Sequence, residues 1–176
     1  MSSLKLSTYI PEADIQKKVK ELGQTLNKKF KGKDVVAVCV LKGSFVFFSD
    51  LVRSMETDVQ CEFFGVSSYN VGTSSSGEVK VTLDLAHPIE GKDVILVEDI
   101  VDTGITMNYL KSALLSRKPK SLTTVVLLEK PDALKVPCEV DYVGFKIPND
   151  FVVGYGLDYQ GLYRNLPYIA QVQSLN

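Results

Sequence analysis

The sequence predicts an α/β fold, with a central, mainly parallel twisted sheet flanked by helices. Two observations carry this. The runs "DVVAVCVL", "KDVILV" and "SLTTVVLLEK" are too continuously apolar and β-branched for half-exposed strands, so both of their faces must be covered. Segments with turn or helical character lie between them, in the repeating order strand, turn, helix, strand.

Taken in order, the elements begin after Pro11, where Ile15, Val19, Leu22 and Leu26 recur at helical spacing with Lys and Glu between them. That is an amphipathic helix with proline near its first turn, ended by Gly32. The strand "DVVAVCVL" follows, then "KGSFVFFSDLVRSM" as a turn opening a helix, and "DVQCEFFGVSSY" as another strand. The stretch "SSYNVGTSSSGEV" has no apolar periodicity and reads as a mobile loop, because strand-like "EVKVTLDL" resumes at once. After "KDVILV", Thr106 to Arg117 forms a short helix ended near Pro119, and "SLTTVVLLEK" is the third buried strand. Shorter strands are expected in "VDYVGF", "FVVGYGLDY" and "YIAQVQ".

The 176 residues suffice for one domain with a substantial core. A net charge of −1 and a pI near 5.9 give no long-range basic field, which argues against wholesale nucleic-acid binding. The N-terminus lacks the apolar core of a signal peptide, and nowhere do about 18 apolar residues run together, so no membrane partner is expected. Cys39, Cys61 and Cys138 are odd in number, widely spaced and set in strand-like runs. They read as reduced, buried thiols of a cytoplasmic protein. The single histidine, His87, precedes Pro88 in a turn and reads as solvated, which excludes a multi-histidine metal site.

In such sheets ligands bind beyond the carboxyl ends of the strands. Three polar clusters fall there: Lys42-Gly43, Glu98 to Thr106, and Glu129-Lys130. Taken singly, Lys42 could be a solvated turn residue and Lys130 the partner of Glu129. The middle cluster says more. Thr103, Gly104 and Thr106 can present N–H and O–H donors to a phosphate at a helix start. No Walker lysine pattern and no G-x-G-x-x-G occurs, so neither triphosphate hydrolysis nor dinucleotide binding is signalled. Simple helix capping would explain Asp102 or Thr103 but not Glu98 and Asp99. A ribose 5-phosphate reconciles the acids with the phosphate site, because ribose hydroxyls donate to carboxylates while the phosphate takes the N–H groups. Magnesium tolerates carboxylates and phosphates together, so a metal-bound diphosphate is compatible too.

"VILVEDIVDTGITM" resembles the phosphoribosyl-diphosphate signature of type I phosphoribosyltransferases. "VLKGSFVFFSDL", "SSY", "LLEKP" and "VDYVGFKIPNDFVVGYGLDYQGLYRNLPYI" narrow the resemblance to the hypoxanthine-guanine phosphoribosyltransferases, from about Val35 to the C-terminus. The resemblance implies a single domain over 1–176, with a purine-binding hood formed mainly by about 145–176. It implies purine salvage: transfer of ribose 5-phosphate from 5-phosphoribosyl 1-diphosphate to hypoxanthine or guanine, with Mg²⁺, in a homodimer or homotetramer. Carried over, Glu98 and Asp99 hold the ribose hydroxyls and the water shell of the metal, and Asp102 is the base facing purine N7. Asp102, Thr103, Gly104, Ile105 and Thr106 bind the 5-phosphate. Lys42 and Gly43 face the diphosphate across a cis peptide after Leu41. Lys130 donates to the purine 6-oxygen, Phe151 stacks on the ring, and the Val152 backbone touches its 2-position edge. Asp158 binds magnesium beside the purine, Arg164 binds diphosphate, and a lid loop opens at Ser68 and Tyr69. Two positions depart from the pattern: Ile105 offers only its backbone, and Asp150 is acidic where some members are basic.

Plainer readings exist for some of these residues. Phe151 and Val152 could be core strand residues, Tyr155 and Tyr159 packing residues, and Asp158 and Arg164 a surface ion pair. A phosphorylation-receiving signalling domain also has an acid pair after a strand and a later Lys-Pro. Here only one helix and one strand separate Glu98 from Lys130, which leaves no room for its acceptor strand. A non-catalytic nucleotide-binding regulator of the same fold is the remaining alternative.

Overall fold

The computed structural model describes residues 4–68 and 79–174. Its chain order is β1 (Lys5–Ile10), α1 (Glu12–Phe30), β2 (Val35–Leu41), α2 (Phe45–Arg53), β3 (Val59–Ser68) and β4 (Val79–Leu83). There follow β5 (Asp93–Val101), α3 (Ile105–Leu115), β6 (Ser121–Glu129), a short 3₁₀ turn (Pro131–Ala133), β7 (Tyr142–Lys146), β8 (Val152–Val153) and β9 (Ile169–Ser174). Six strands form the main sheet in the order β4-β3-β2-β5-β6-β7, and β1-β9-β8 form a smaller one. All main-sheet pairs are parallel except β3 with the edge strand β4. The expected α/β architecture is therefore present.

Strand β2 explains why the central runs are apolar throughout. Val35, Ala37 and Cys39 pack toward α1 and α2, while Val36, Val38 and Val40 pack toward α3. Both faces are covered, and each fully buried aliphatic side chain contributes roughly 1.5–3 kcal/mol of transfer free energy. Ile15, Val19, Leu22 and Leu26 of α1 are buried as the spacing predicts. The helix is oriented by charge as well, with Glu12 and Asp14 in its first turn and Lys28 and Lys29 in its last.

Four features depart from expectation. β1 has no sequence signal of its own and exists through antiparallel pairing with β9, Lys5 facing Ser174. β5 runs past "VILV" to Val101, so Glu98 and Asp99 sit on the strand rather than in a loop after it. "FVVGYGLDY" supplies only the two-residue β8, because Gly154 and Gly156 adopt φ of 99° and 100° and turn the chain away. All three cysteines are free, but only Cys39 is buried: Cys61 is exposed and Cys138 half-buried. Cys61 lies on a face of β3 that α2 covers only in part, with Phe48 against Phe63. The expected lid begins where β3 ends, and Tyr69 lies outside the described residues. Among the described residues no helix is long and apolar enough to cross a membrane.

Candidate active site

The carboxyl ends of β2, β5 and β6 are brought side by side by their parallel pairing. Beyond β5 the chain passes Asp102 and Thr103 and turns at Gly104, whose φ of 82° starts α3. A Cβ on Gly104 would lie 2.9 Å from Cys138 Cβ and 3.0 Å from the Val136 carbonyl, so the turn has no room for a side chain. The first helical bond runs from Asn108 N to Gly104 O at 3.1 Å. The amides of Ile105, Thr106 and Met107 therefore stand at the positive end of α3 without an i−4 partner. Glu98, Asp99, Asp102, Thr103, Gly104 and Thr106 line a cleft of about 210 Å³ in front of them. Such an arrangement of amides beside acids can take an anion, which is what the composition of the stretch leads one to expect.

Glu98 is buried and accepts only a long bond from Asp99 N at 3.3 Å. Burial pushes its carboxyl well above the usual range, and the charge of Asp99 pushes it further. Asp99 accepts Ile100 N at 2.8 Å. It too is raised, first by burial, with Asp158 adding to the rise and Arg164 opposing it. A buried and a half-buried carboxyl held this way call for a hard cation or hydroxyl donors. Among the described residues no group of three or more His, Cys, Asp or Glu side chains could hold a metal alone. That donor set fits magnesium, which retains waters and takes oxygens from substrate. Cys39 lies nearby, but burial raises its thiol to about 11, so it supplies no thiolate at neutral pH.

Lys130 follows β6, anchored by its N–H to Val101 O at 2.9 Å. Its ammonium is buried and stands 3.6 Å from Asp102 Oδ2. Glu129 pairs with Lys146 at 3.3 Å instead, so the neighbour-pair reading of Lys130 does not hold. Lys42 is exposed after β2, and the Leu41–Lys42 peptide is cis. At Gly43 an added Cβ would lie 1.6 Å from Asp99 Oδ2. The Lys42–Gly43 loop thus closes directly on the acid pair, and a side chain at Gly43 would displace the Asp99 carboxylate.

The remaining predicted residues sit on the segment after β7. Phe151 is half exposed and meets Tyr159 edge-on, with ring centroids 5.9 Å apart. Val152 is buried in β8 against β9. Asp158 and Arg164 do form an ion pair, at 2.6 Å, but a partly buried one. Arg164 Nη1 also donates to Gly156 O at 2.6 Å, and Asp158 Oδ2 accepts Gly161 N at 2.7 Å. A Cβ on Gly156 would lie 2.1 Å from Gly43 O. Through that contact the segment meets the sheet-borne residues. Sequence reasoning missed Gly156, and the only available signal was the Gly-Tyr-Gly within "FVVGYGLDY". It also read Tyr155 as packing alone, whereas its hydroxyl donates to Asp50 Oδ2 at 2.6 Å. A larger groove of about 500 Å³, lined in part by Lys28, Lys31 and Lys33, lies where α1 ends, at the amino ends of the strands.

The model of the phosphoribosyl transferase domain family matches residues 10–160. A hypoxanthine-guanine phosphoribosyltransferase of Staphylococcus aureus is 51% identical over 164 residues, covering 93% of this chain and 92% of that protein. The crystal structure of a hypoxanthine phosphoribosyltransferase from the same species superposes with a TM-score of 0.91 at 50% identity, covering 97% and 92% of the two chains. A hypoxanthine-guanine phosphoribosyltransferase of Bacillus anthracis gives 0.91 at 46%, covering 97% and 99%. Pattern, geometry and likeness agree, and the chain belongs to the phosphoribosyl transferase domain family.

Proposed function

We propose that this protein is a purine salvage enzyme, transferring the 5-phosphoribosyl group of 5-phosphoribosyl 1-diphosphate to hypoxanthine or guanine. The bond from C1′ to the diphosphate oxygen breaks, the bond to purine N9 forms, and the N7 proton passes to the Asp102 carboxylate. The observation that carries this reading is the buried ammonium of Lys130, 3.6 Å from Asp102 and next to the anion site at α3. A donor and an acceptor held at that spacing suit the 6-oxygen and N7 of one oxopurine. Adenine would set its 6-amino donor against the Lys130 ammonium, also a donor, and offer no acceptor in place of the 6-oxygen.

In this reading Phe151 covers the ring face and the Val152 backbone meets its 2-position edge. Asp102 through Thr106 hold the 5-phosphate, with Ile105 acting through its backbone alone. Glu98 and Asp99 orient the ribose hydroxyls. Magnesium bound through Glu98, Asp99 and Asp158 supplies charge for the departing diphosphate. Lys42, the Gly43 backbone and Arg164 receive that diphosphate electrostatically. The segment opening at Ser68 and Tyr69 is the lid that keeps water from the sugar cation. One domain spans 1–176, with residues of about 145–176 as its hood. The protein works in the cytoplasm as a homodimer or homotetramer.

Spectrophotometric turnover with 5-phosphoribosyl 1-diphosphate, with and without Mg²⁺, tests the reading. Hypoxanthine, guanine, xanthine and adenine are offered separately. Nucleotide formation from the 6-oxopurines, absent with adenine and absent without metal, is the expected result. Tight nucleotide binding without turnover would sink it and leave the non-catalytic regulator.

A further inference from the structure

The turn from Gly154 to Leu157 is fastened to α2 away from the site. Tyr155 is buried with φ of 49°, between two glycines that also have positive φ. Its hydroxyl donates to Asp50 Oδ2 at 2.6 Å, and Gln16 Nε2 donates to the same oxygen at 3.1 Å. Packing alone would require only the ring. A buried hydroxyl without an acceptor is costly, so the acceptor on α2 is what lets tyrosine stand here.

The next residue faces the site. Gly156 packs against the Gly43 carbonyl, its N–H donates to Arg164 O at 3.0 Å, and its own carbonyl accepts Arg164 Nη1. Asp50 belongs to the helix entered through Lys42, Gly43 and Ser44. One hydrogen bond therefore joins the element carrying Lys42–Gly43 to the turn carrying Gly156, on which Arg164 hangs. Lys130 and Asp102 are joined through other contacts, at the ends of β6 and β5.

We propose that the Tyr155–Asp50 hydrogen bond positions the diphosphate half of the site, holding Gly156 and Arg164 against Lys42–Gly43. Tyr155 and Asp50 are positioning residues and touch no substrate. The inference rests on the transfer reaction proposed above and deepens it, because it assigns a control of leaving-group binding separate from purine binding.

The test compares Tyr155→Phe, Asp50→Ala, Asp50→Asn and the Tyr155→Phe/Asp50→Ala pair. Tyr155→Phe and Asp50→Ala are each expected to raise KM for 5-phosphoribosyl 1-diphosphate about tenfold, with KM for hypoxanthine changed less than about twofold. Asp50→Asn keeps an acceptor and should stay near wild type. The double variant should be no worse than Asp50→Ala, because both changes break one bond. Equal rises in both KM values, additive effects, or a lower melting temperature with neither KM moved would overturn the proposal. If Tyr155→Phe does not fold, the contrast between Asp50→Asn and Asp50→Ala decides. If wild type shows no turnover, the reaction itself fails. Calorimetric affinity for 5-phosphoribosyl 1-diphosphate then decides the positioning role separately, a loss in Asp50→Ala but not Asp50→Asn supporting it and equal affinities overturning it.

Discussion

Glu62 and Glu98 lie on the two strands that flank β2, and both are buried, with 3% and 8% of their surface exposed. Glu62 accepts hydrogen bonds from Ala86 N at 2.9 Å and Gln60 Nε2 at 3.1 Å, and lies 2.6 Å from His87 Nδ1. Burial pushes its carboxyl up, but these partners more than offset that, and it ends below the usual range. Glu98 has one long bond and an acid beside it, and ends above the usual range. The difference separates two uses of a buried acid. Glu62 is complete within the fold and holds the turn after β4 in place. Glu98 is left incomplete by the fold, and under the function proposed above a metal-bound sugar diphosphate would complete it.

The contrast breaks first on activity. Glu98→Gln combined with Asp99→Asn should lower kcat/KM at least about 100-fold, since charge that stabilises the transition state is lost. Glu62→Gln should leave it within about threefold, since that side chain is remote from the reacting groups. Steady-state kinetics on the two proteins checks both. Next comes stability: Glu62→Ala leaves several donors without an acceptor and should cost about 2–3 kcal/mol in urea denaturation at pH 7. The folded carboxyl of Glu62 is depressed, so its contribution is present above the ordinary glutamate range and is lost as pH falls through the folded value. The deficit of the variant should therefore shrink in acid.

Glu98→Gln should behave in the opposite sense. A raised folded carboxyl weakens the native state increasingly as pH climbs above the ordinary range near ~4.3, so the amide should stabilise the free protein by about 1 kcal/mol at pH 7. That gain should vanish by about pH 3, more than a unit below the ordinary value, where the wild-type group is protonated whether folded or not. Thermal melts across that interval measure it, and a loss of stability at pH 7 would refute the distinction. The smallest effect belongs to His87→Ala, below about 1 kcal/mol, because the ring is two-thirds exposed and water replaces it cheaply.

Legibility followed sequence distance. Strands with both faces covered, the amphipathic α1 and the turn from Asp102 to Gly104 that opens α3 all reveal themselves through local pattern. Glu62 did not, since two of its three partners, Ala86 and His87, come from a turn more than twenty residues away, and His87 therefore read as merely solvated. For Lys130 the sequence offered only its neighbour Glu129 as a partner, and the fold gives it Asp102 instead. β1 and Tyr155 were invisible for the same reason, their partners lying on β9 and α2. Gly43 was legible as part of a motif, but its contact with Asp99 belongs to the packing of β2 on β5.

The pairing of β1 with β9 also bears on how the chain is made. During synthesis, β1 leaves the ribosome before the strands of the main sheet and waits for β9, which emerges only after that whole sheet has been translated. β2, β3, β5 and β6 can associate earlier, so the nascent chain can assemble the main-sheet floor that carries Glu98 and Asp99 before the roof of β1, β8 and β9. Over that interval Ile10, buried against the roof strand in the finished fold, remains open to water and to chaperones.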